Sequence, residues 1–308
     1  MHVYIEAEYF EVIEKQYENE KGNFFSKSAN NLRAVFNLLT ELKMETTVPN
    51  NEIVKFAKGL AGNKTYSSLK DVILTQSIKN QHLKTVDSID EVRDRSGFYF
   101  VKTNISPGAN VIVKDSSFDF QHFYENCTVN GFTFDGDIRA LNQFVPPTNA
   151  MIISDPYIFD DPFEIKISKV CEFVNMFKAE CNNIPFQLTI LTKTENANRA
   201  RNGFEELSKI KNLEVQLIIL SRNAISHDRE IYTNYSYMNI GLPFLNQKTN
   251  FNQNFLAVEN DPGQINRNYA NYKGRLEEIY KKIENTPRHI GHVQQRWENA
   301  EFTNRLFK

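Results

Sequence analysis

Between residues 150 and 220 three short apolar runs alternate with two longer amphipathic stretches, and this alternation restricts the chain to an α/β architecture. The runs are residues 150–154 (AMIIS), 186–192 (FQLTILT) and 213–220 (LEVQLIIL), each the length of a buried strand. The first ends at Asp155-Pro156-Tyr157, a turn. Asp161, Pro162 and Glu164 then supply an N-cap, a first-turn proline and a capping-box acid, so a helix is expected to start there. Phe163, Ile167, Val170, Val174 and Phe177 recur at spacings of four and three and carry that helix to about residue 180. Ala197, Ala200, Phe204, Leu207 and Ile210 mark a second one. Helices between the runs imply parallel, buried strands joined by right-handed crossovers.

Residues 226–241, SHDREIYTNYSYMNIG, follow this β/α run, and Ile231, Thr233 and Tyr235 share one side of an expected strand. His227 has the element needed for attack at phosphorus, since an imidazole near neutrality is unprotonated part of the time. Such a histidine needs an orienting carboxylate, and Asp155, at the end of a neighbouring strand, is the candidate. Arg229 holds a phosphate through a fixed fork of donors; its competing role is a structural ion pair with Asp155, Asp228 or Glu230.

The segment matches, in spacing, the signature of the phospholipase D superfamily: His, any residue, Lys, four residues, Asp, six residues, Gly, then Ser. His227 and Gly241 fit, whereas Arg229 stands for Lys, Asn234 for Asp and Leu242 for Ser. With Asp155-Pro156-Tyr157, the following helix, LTILT and His227-Asp228-Arg229-Glu230-Ile231 in one order, residues 148–246 resemble the C-terminal phospholipase-D-like domain of microtubule-interacting-and-trafficking (MIT) domain proteins. In active superfamily members the His attacks phosphorus, the Lys holds the non-bridging oxygens, and a second motif copy, from the same chain or from a dimer, supplies the acid. In the MIT-associated domains the resemblance implies lost catalysis and a retained anion-binding surface that meets membrane lipid. No MIT three-helix module is evident in the first half.

The resemblance thus makes His227 and Asp155 conditional catalytic residues and Arg229, Asn234 and Gly241 phosphate-binding positions. Asn234 keeps hydrogen bonding but loses a carboxylate, which weighs against an enzyme. The leading expectation is a phosphate-recognising module that binds nucleic acid or anionic phospholipid. The alternatives are a metal-independent phosphodiesterase or nuclease acting as a homodimer, and a structural adaptor that meets a protein partner through residues 1–130.

The first half is less legible as α/β. Residues 2–10 read as a strand, 30–43 and 51–60 as helices, and 98–102 with 110–113 as a hairpin or strand pair around Pro107-Gly108. A boundary is expected near residues 126–136, separating a region 1–130 from a phospholipase-D-like domain 131–308. Several motifs here imitate functional sites. His82-Leu83-Lys84 has Asp90 one residue too far on for a second signature, and Gly62-Asn63-Lys64-Thr65 lacks the leading glycine spacing and the strand of a P-loop. Glu6, Glu8 and Glu41 outline a metal-binding PIN-like nuclease, against the simpler reading of solvated acids.

Composition sets the remaining bounds. With 41% hydrophobic and 24% charged residues in 308, the chain is expected to fold around a sizeable core. A net charge of −2 argues against a globally basic nucleic-acid binder. Residues 264–308 nevertheless hold nine Lys and Arg against five Glu, read first as a solvated helix face. There Arg296-Trp297 and Asn304-Arg305 suggest phosphate and base contacts, against a helix that packs Trp297 and Leu306 into the core. Cys127, Cys171 and Cys181 form no CxxC pair, which fits a reducing compartment and gives no zinc signature. No leader and no transmembrane run is seen, so a cytoplasmic protein without cofactor or metal is expected.

Overall fold

In a computed structural model of the chain, the three apolar runs form the parallel centre of a six-stranded sheet. The described residues are 2–20, 36, 39–59, 68–92, 97–101, 112–113, 132–135, 148–178, 185–194, 196–221, 223–225, 227–234, 237–240, 248–251, 264–290 and 293–308.

The first half is built on strands β1 (His2–Ile5), β2 (Lys43–Thr46), β3 (Leu83–Thr85), β4 (Gly97–Phe100) and β5 (Ile112–Val113). They pair in the order β3-β2-β1-β4-β5, every pair parallel. Helices α1 (Phe10–Glu20), α2 (Asn50–Gly59) and α3 (Leu69–Lys79) accompany them. The strand expected over residues 2–10 stops at Ile5, because Tyr9, Phe10 and Ile13 recur at helical spacing and bury one side of α1. Of the two expectations for residues 98–102 and 110–113, the strand pair holds and the hairpin does not, since β4 and β5 pair in parallel; Pro107-Gly108 lie outside the described residues.

In the second half β7 (Ala150–Ser154), β8 (Phe186–Thr192) and β9 (Leu213–Ile219) are parallel, with α4 (Phe163–Lys178) and α5 (Ala197–Ser208) between them. On the flanks, β10 (Arg229–Thr233) runs antiparallel to β7 and to β11 (Tyr237–Ile240), and β15 (Arg296–Glu298) antiparallel to β9. The order is β11-β10-β7-β8-β9-β15, a mixed sheet with a parallel core. A separate ribbon pairs β6 (Phe132–Asp135) with β12 (Lys248–Phe251), and helix α6 (Gln264–Glu284) precedes a short hairpin of β13 (His289–Ile290) and β14 (Val293–Gln294). Helix α4 starts at Phe163 with Glu164 in its first turn, one residue later than expected: the Pro162 carbonyl accepts the Lys166 amide, so Pro162 takes the cap position expected of Asp161, which pairs with Arg199 instead. The boundary expected near residues 126–136 lies largely outside the described residues, as does Gly62-Asn63-Lys64-Thr65.

Alternation along the strands divides the core in two. Met151, Ile153, Leu188, Ile190, Val215 and Leu217 face α4 and α5. Their neighbours Ala150, Ile152, Leu191, Ile218 and Tyr232 join a second cluster, which includes α6 through Tyr272, Leu276 and Ile279 and the first half through Val3, Ile5 and Ile73. The two halves therefore share apolar packing. Burial alone does not require a helix at the C-terminus: Trp297 is buried on the added strand β15, and Leu306 on a 3₁₀ turn. In the same turn Arg305 is 3% exposed and donates to the carbonyls of Asn149 and Pro185, so it braces the starts of β7 and β8.

One close approach tests this packing. A Cβ at Gly203 in α5 would lie 2.3 Å from Cε1 of Phe159, whose ring is fully buried. Gly203→Ala is therefore expected to cost about 1–3 kcal/mol, even though alanine is the better helix former. Urea denaturation measures the loss, and Phe159→Leu in the same background should recover part of it.

Candidate functional site

Antiparallel pairing of β10 with β7 positions the candidate residues. Glu230 pairs with Ser154 and Thr233 with Met151, so the start of β10 lies beside the carboxyl end of β7. His227, Arg229, Asp155 and Tyr157 are thereby gathered at the end of the sheet where parallel strands usually present ligands.

Tyr157 is the centre of this group. Its hydroxyl meets Nδ1 of His227 at 2.6 Å, and the two rings lie 6.1 Å apart at 29°. The Lys193 ammonium lies 4.4 Å from the centre of the Tyr157 ring, and the Arg229 guanidinium 4.9 Å from it. Both distances are in the cation–π range. Lys193 comes directly after β8. The next element, α5, is capped by Asn196, whose Oδ1 accepts from the amides of Asn198 and Arg199. Arg199 in turn pairs with Asp161 at 2.7 Å.

Asp155 does not orient His227. It is 1% exposed, accepts the Tyr157 amide at 2.7 Å, and pairs with Nε of Arg229 at 3.5 Å. Burial pushes its carboxyl above the usual range, against the opposing effects of the Tyr157 amide and of Arg229. The structural ion pair considered from the sequence is therefore present. Tyr157 takes the place expected of Asp155 beside the exposed His227.

Nor does Asn234 join the site. It follows β10, five residues beyond Arg229 and hence about 17 Å along an extended strand. There it is 2% exposed, and its Oδ1 accepts from the Thr148 hydroxyl and from the amides of Asn149 and Ala150. Its Nδ2 donates to Oδ1 of Asn149 at 2.9 Å. Asn234 thus locks the entry to β7. Gly241 and Leu242 lie outside the described residues.

Beside Tyr157, at the carboxyl ends of β7, β8 and β9, a cleft of about 630 Å³ opens, with Lys193, Thr194, Asn196 and Arg199 in its lining. Sequence reasoning named Tyr157 as part of a turn and missed Lys193 and Arg199. The available signal was a lysine directly after a buried strand, followed by an asparagine cap.

The basic tail contributes little here. Arg275 pairs with Glu230, Lys273 with Glu277, and both Arg288 and Arg296 with Glu298. His82 immediately precedes the edge strand β3 and lines, with His2 and Glu41, a different cavity of about 450 Å³ at the amino ends of β1–β3. Glu41 is thus at the far end of the sheet from Glu6, which follows β1. Burial, then Glu6 and Glu8, push the Tyr4 hydroxyl above its usual range, with Asp90 adding to the effect. Among the described residues no group of three or more His, Cys, Asp or Glu is placed to hold a metal ion, and no helix is long and apolar enough to cross a membrane. No family model, no curated protein and no solved structure matches this chain.

Proposed function

We propose that residues 148–246 are a phospholipase-D-like module that recognises a phosphate ester and does not cleave it. The observation that carries this reading is the Tyr157 ring with Lys193 and Arg229 in cation–π contact and His227 on its hydroxyl, beside an open cleft at the strand ends. Two fixed cations and an exposed imidazole suit a phosphate held by charge-assisted hydrogen bonds. Catalysis asks for more. Asp155 is engaged by Arg229, and the position of the signature's carboxylate is taken by Asn234 at the other end of β10. Nucleic acid and anionic phospholipid both offer the phosphate such a site requires.

Lys193 separates this reading from a purely structural one, because it is half-exposed and has no part in the core. Lys193→Ala should leave stability within about 0.5 kcal/mol of the wild type. Affinity for a fluorescein-labelled single-stranded oligonucleotide, or for vesicles containing phosphatidylserine, should fall several-fold. For the oligonucleotide, the salt dependence should flatten by about one phosphate contact. Unchanged affinity and slope for both probes would sink the reading.

A further inference from the structure

Beyond its cations, the cleft beside Tyr157 has an apolar wall supplied by an element with no other evident task. In the β13–β14 hairpin Ile290 pairs with Val293, and the two are 59% and 48% exposed. Both line the cleft, as do Ile219 and Leu220 at the end of β9. Large apolar side chains held this far into solvent on a two-stranded ribbon add little to folding, so they point to a ligand. Polar groups complete the lining: Asn196, Thr194, Gln295 and Ser221 offer amide and hydroxyl partners, Lys193 and Arg199 offer positive charge, and Asp160 offers a carboxylate.

We propose that this cleft holds a nucleotide, with its base against Ile290 and Val293 and its phosphate toward Lys193 and Tyr157. The proposal rests on the phosphate-recognition reading and adds the class of ligand. A base has two apolar faces and an edge of donors and acceptors, which matches an aliphatic wall flanked by amides and hydroxyls. Asp160 disfavours a phosphate beside it and suits a base N–H. A phosphatidylserine headgroup, charged and polar on every side, offers the wall no flat apolar face to cover. The nucleotide is either free or one unit of a single strand, since the recognised chemistry is the same.

The test uses the full chain and the double variant Ile290→Ser/Val293→Ser, whose exposed positions leave folding intact. Fluorescence polarisation is read with a 5′-labelled single-stranded octanucleotide, an abasic strand of equal length, and unlabelled nucleoside monophosphate as competitor. Co-sedimentation with phosphatidylcholine/phosphatidylserine vesicles runs in parallel. The double variant is expected to bind the octanucleotide about five- to tenfold more weakly, with unchanged salt slope because no phosphate contact is lost, and to bind the abasic strand as the wild type does. Competition by nucleoside monophosphate at concentrations near its own affinity identifies a free nucleotide as the ligand; failure to compete identifies a unit of a strand. Unchanged octanucleotide affinity in the double variant, while Lys193→Ala still weakens it, overturns the nucleotide proposal and leaves phosphate recognition standing. Loss of vesicle binding with oligonucleotide binding unaffected overturns it in favour of lipid. If neither variant changes binding to any probe, both readings fall.

Discussion

Arg229→Ala is expected to destabilise the protein by about 3 kcal/mol at pH 7 and, in the same stroke, to remove most of its phosphate affinity. The stability loss follows from Asp155, which is 1% exposed and, among the described residues, keeps the Tyr157 amide as hydrogen-bond donor and the charge of Lys166 once the guanidinium is gone. The folded-state pKa of Asp155 is already raised from 3.8 by burial, and Arg229 opposes that rise. Removing Arg229 raises it further. The folded state then binds a proton that the unfolded state has released, so stability falls as pH rises through this window and the full cost appears above it. Urea denaturation should therefore show a large penalty at pH 7 that shrinks toward pH 4.

Asp155→Asn provides the control, because it removes the buried charge and keeps an acceptor for the Tyr157 amide. Combined with Arg229→Ala it should recover much of the lost stability and none of the lost binding. If the double variant is no more stable than Arg229→Ala alone, the ion pair is not what holds this corner together.

Asn234→Ala should be comparably damaging for a different reason. It removes one acceptor shared by the backbone amides of Asn149 and Ala150 and by the Thr148 hydroxyl, which also donates to the Ala150 carbonyl, all around a side chain only 2% exposed. Losing a buried acceptor costs about 1–3 kcal/mol, so a destabilisation of about 2–3 kcal/mol is expected, with a fall of several degrees in melting temperature. Phosphate binding by the folded fraction should be untouched. The exchange that restores the signature, Asn234→Asp, keeps the accepting contacts but replaces the Nδ2 donor with a carboxylate oxygen that faces Oδ1 of Asn149. It should destabilise the protein mildly and confer no phosphodiesterase activity. Activity gained on this exchange would contradict the structural role given to Asn234.

The contrast between these two residues shows what the sequence made legible. The β/α run from 150 to 220 could be read almost residue by residue, because buried parallel strands and amphipathic helices each impose a period. His227 and Arg229 lie together at Tyr157, as their shared motif suggests, because both sit at one strand end. Asn234 belongs to the same motif, but whether a residue at the other end of β10 shares their site depends on strand direction and pairing, which spacing does not encode. Asp155 was placed correctly in the chain and given the wrong partner, since a buried carboxylate takes the nearest strong donor and here that is Arg229 and the Tyr157 amide. Lys193 and the β13–β14 hairpin reach the cleft only through the fold, from parts of the sequence without a motif. In the first half, short strands with few alternating positions gave little signal, although the all-parallel order binds them into one sheet.

The central claim, that this site holds a phosphate ester without cutting it, is tested most directly by incubating the wild-type protein with bis-p-nitrophenyl phosphate and with a labelled single-stranded oligonucleotide in the presence of EDTA. The expected result is saturable, salt-sensitive oligonucleotide binding with no release of p-nitrophenolate and an intact strand. Release or strand cleavage that His227→Ala abolishes would contradict it and make His227 a nucleophile.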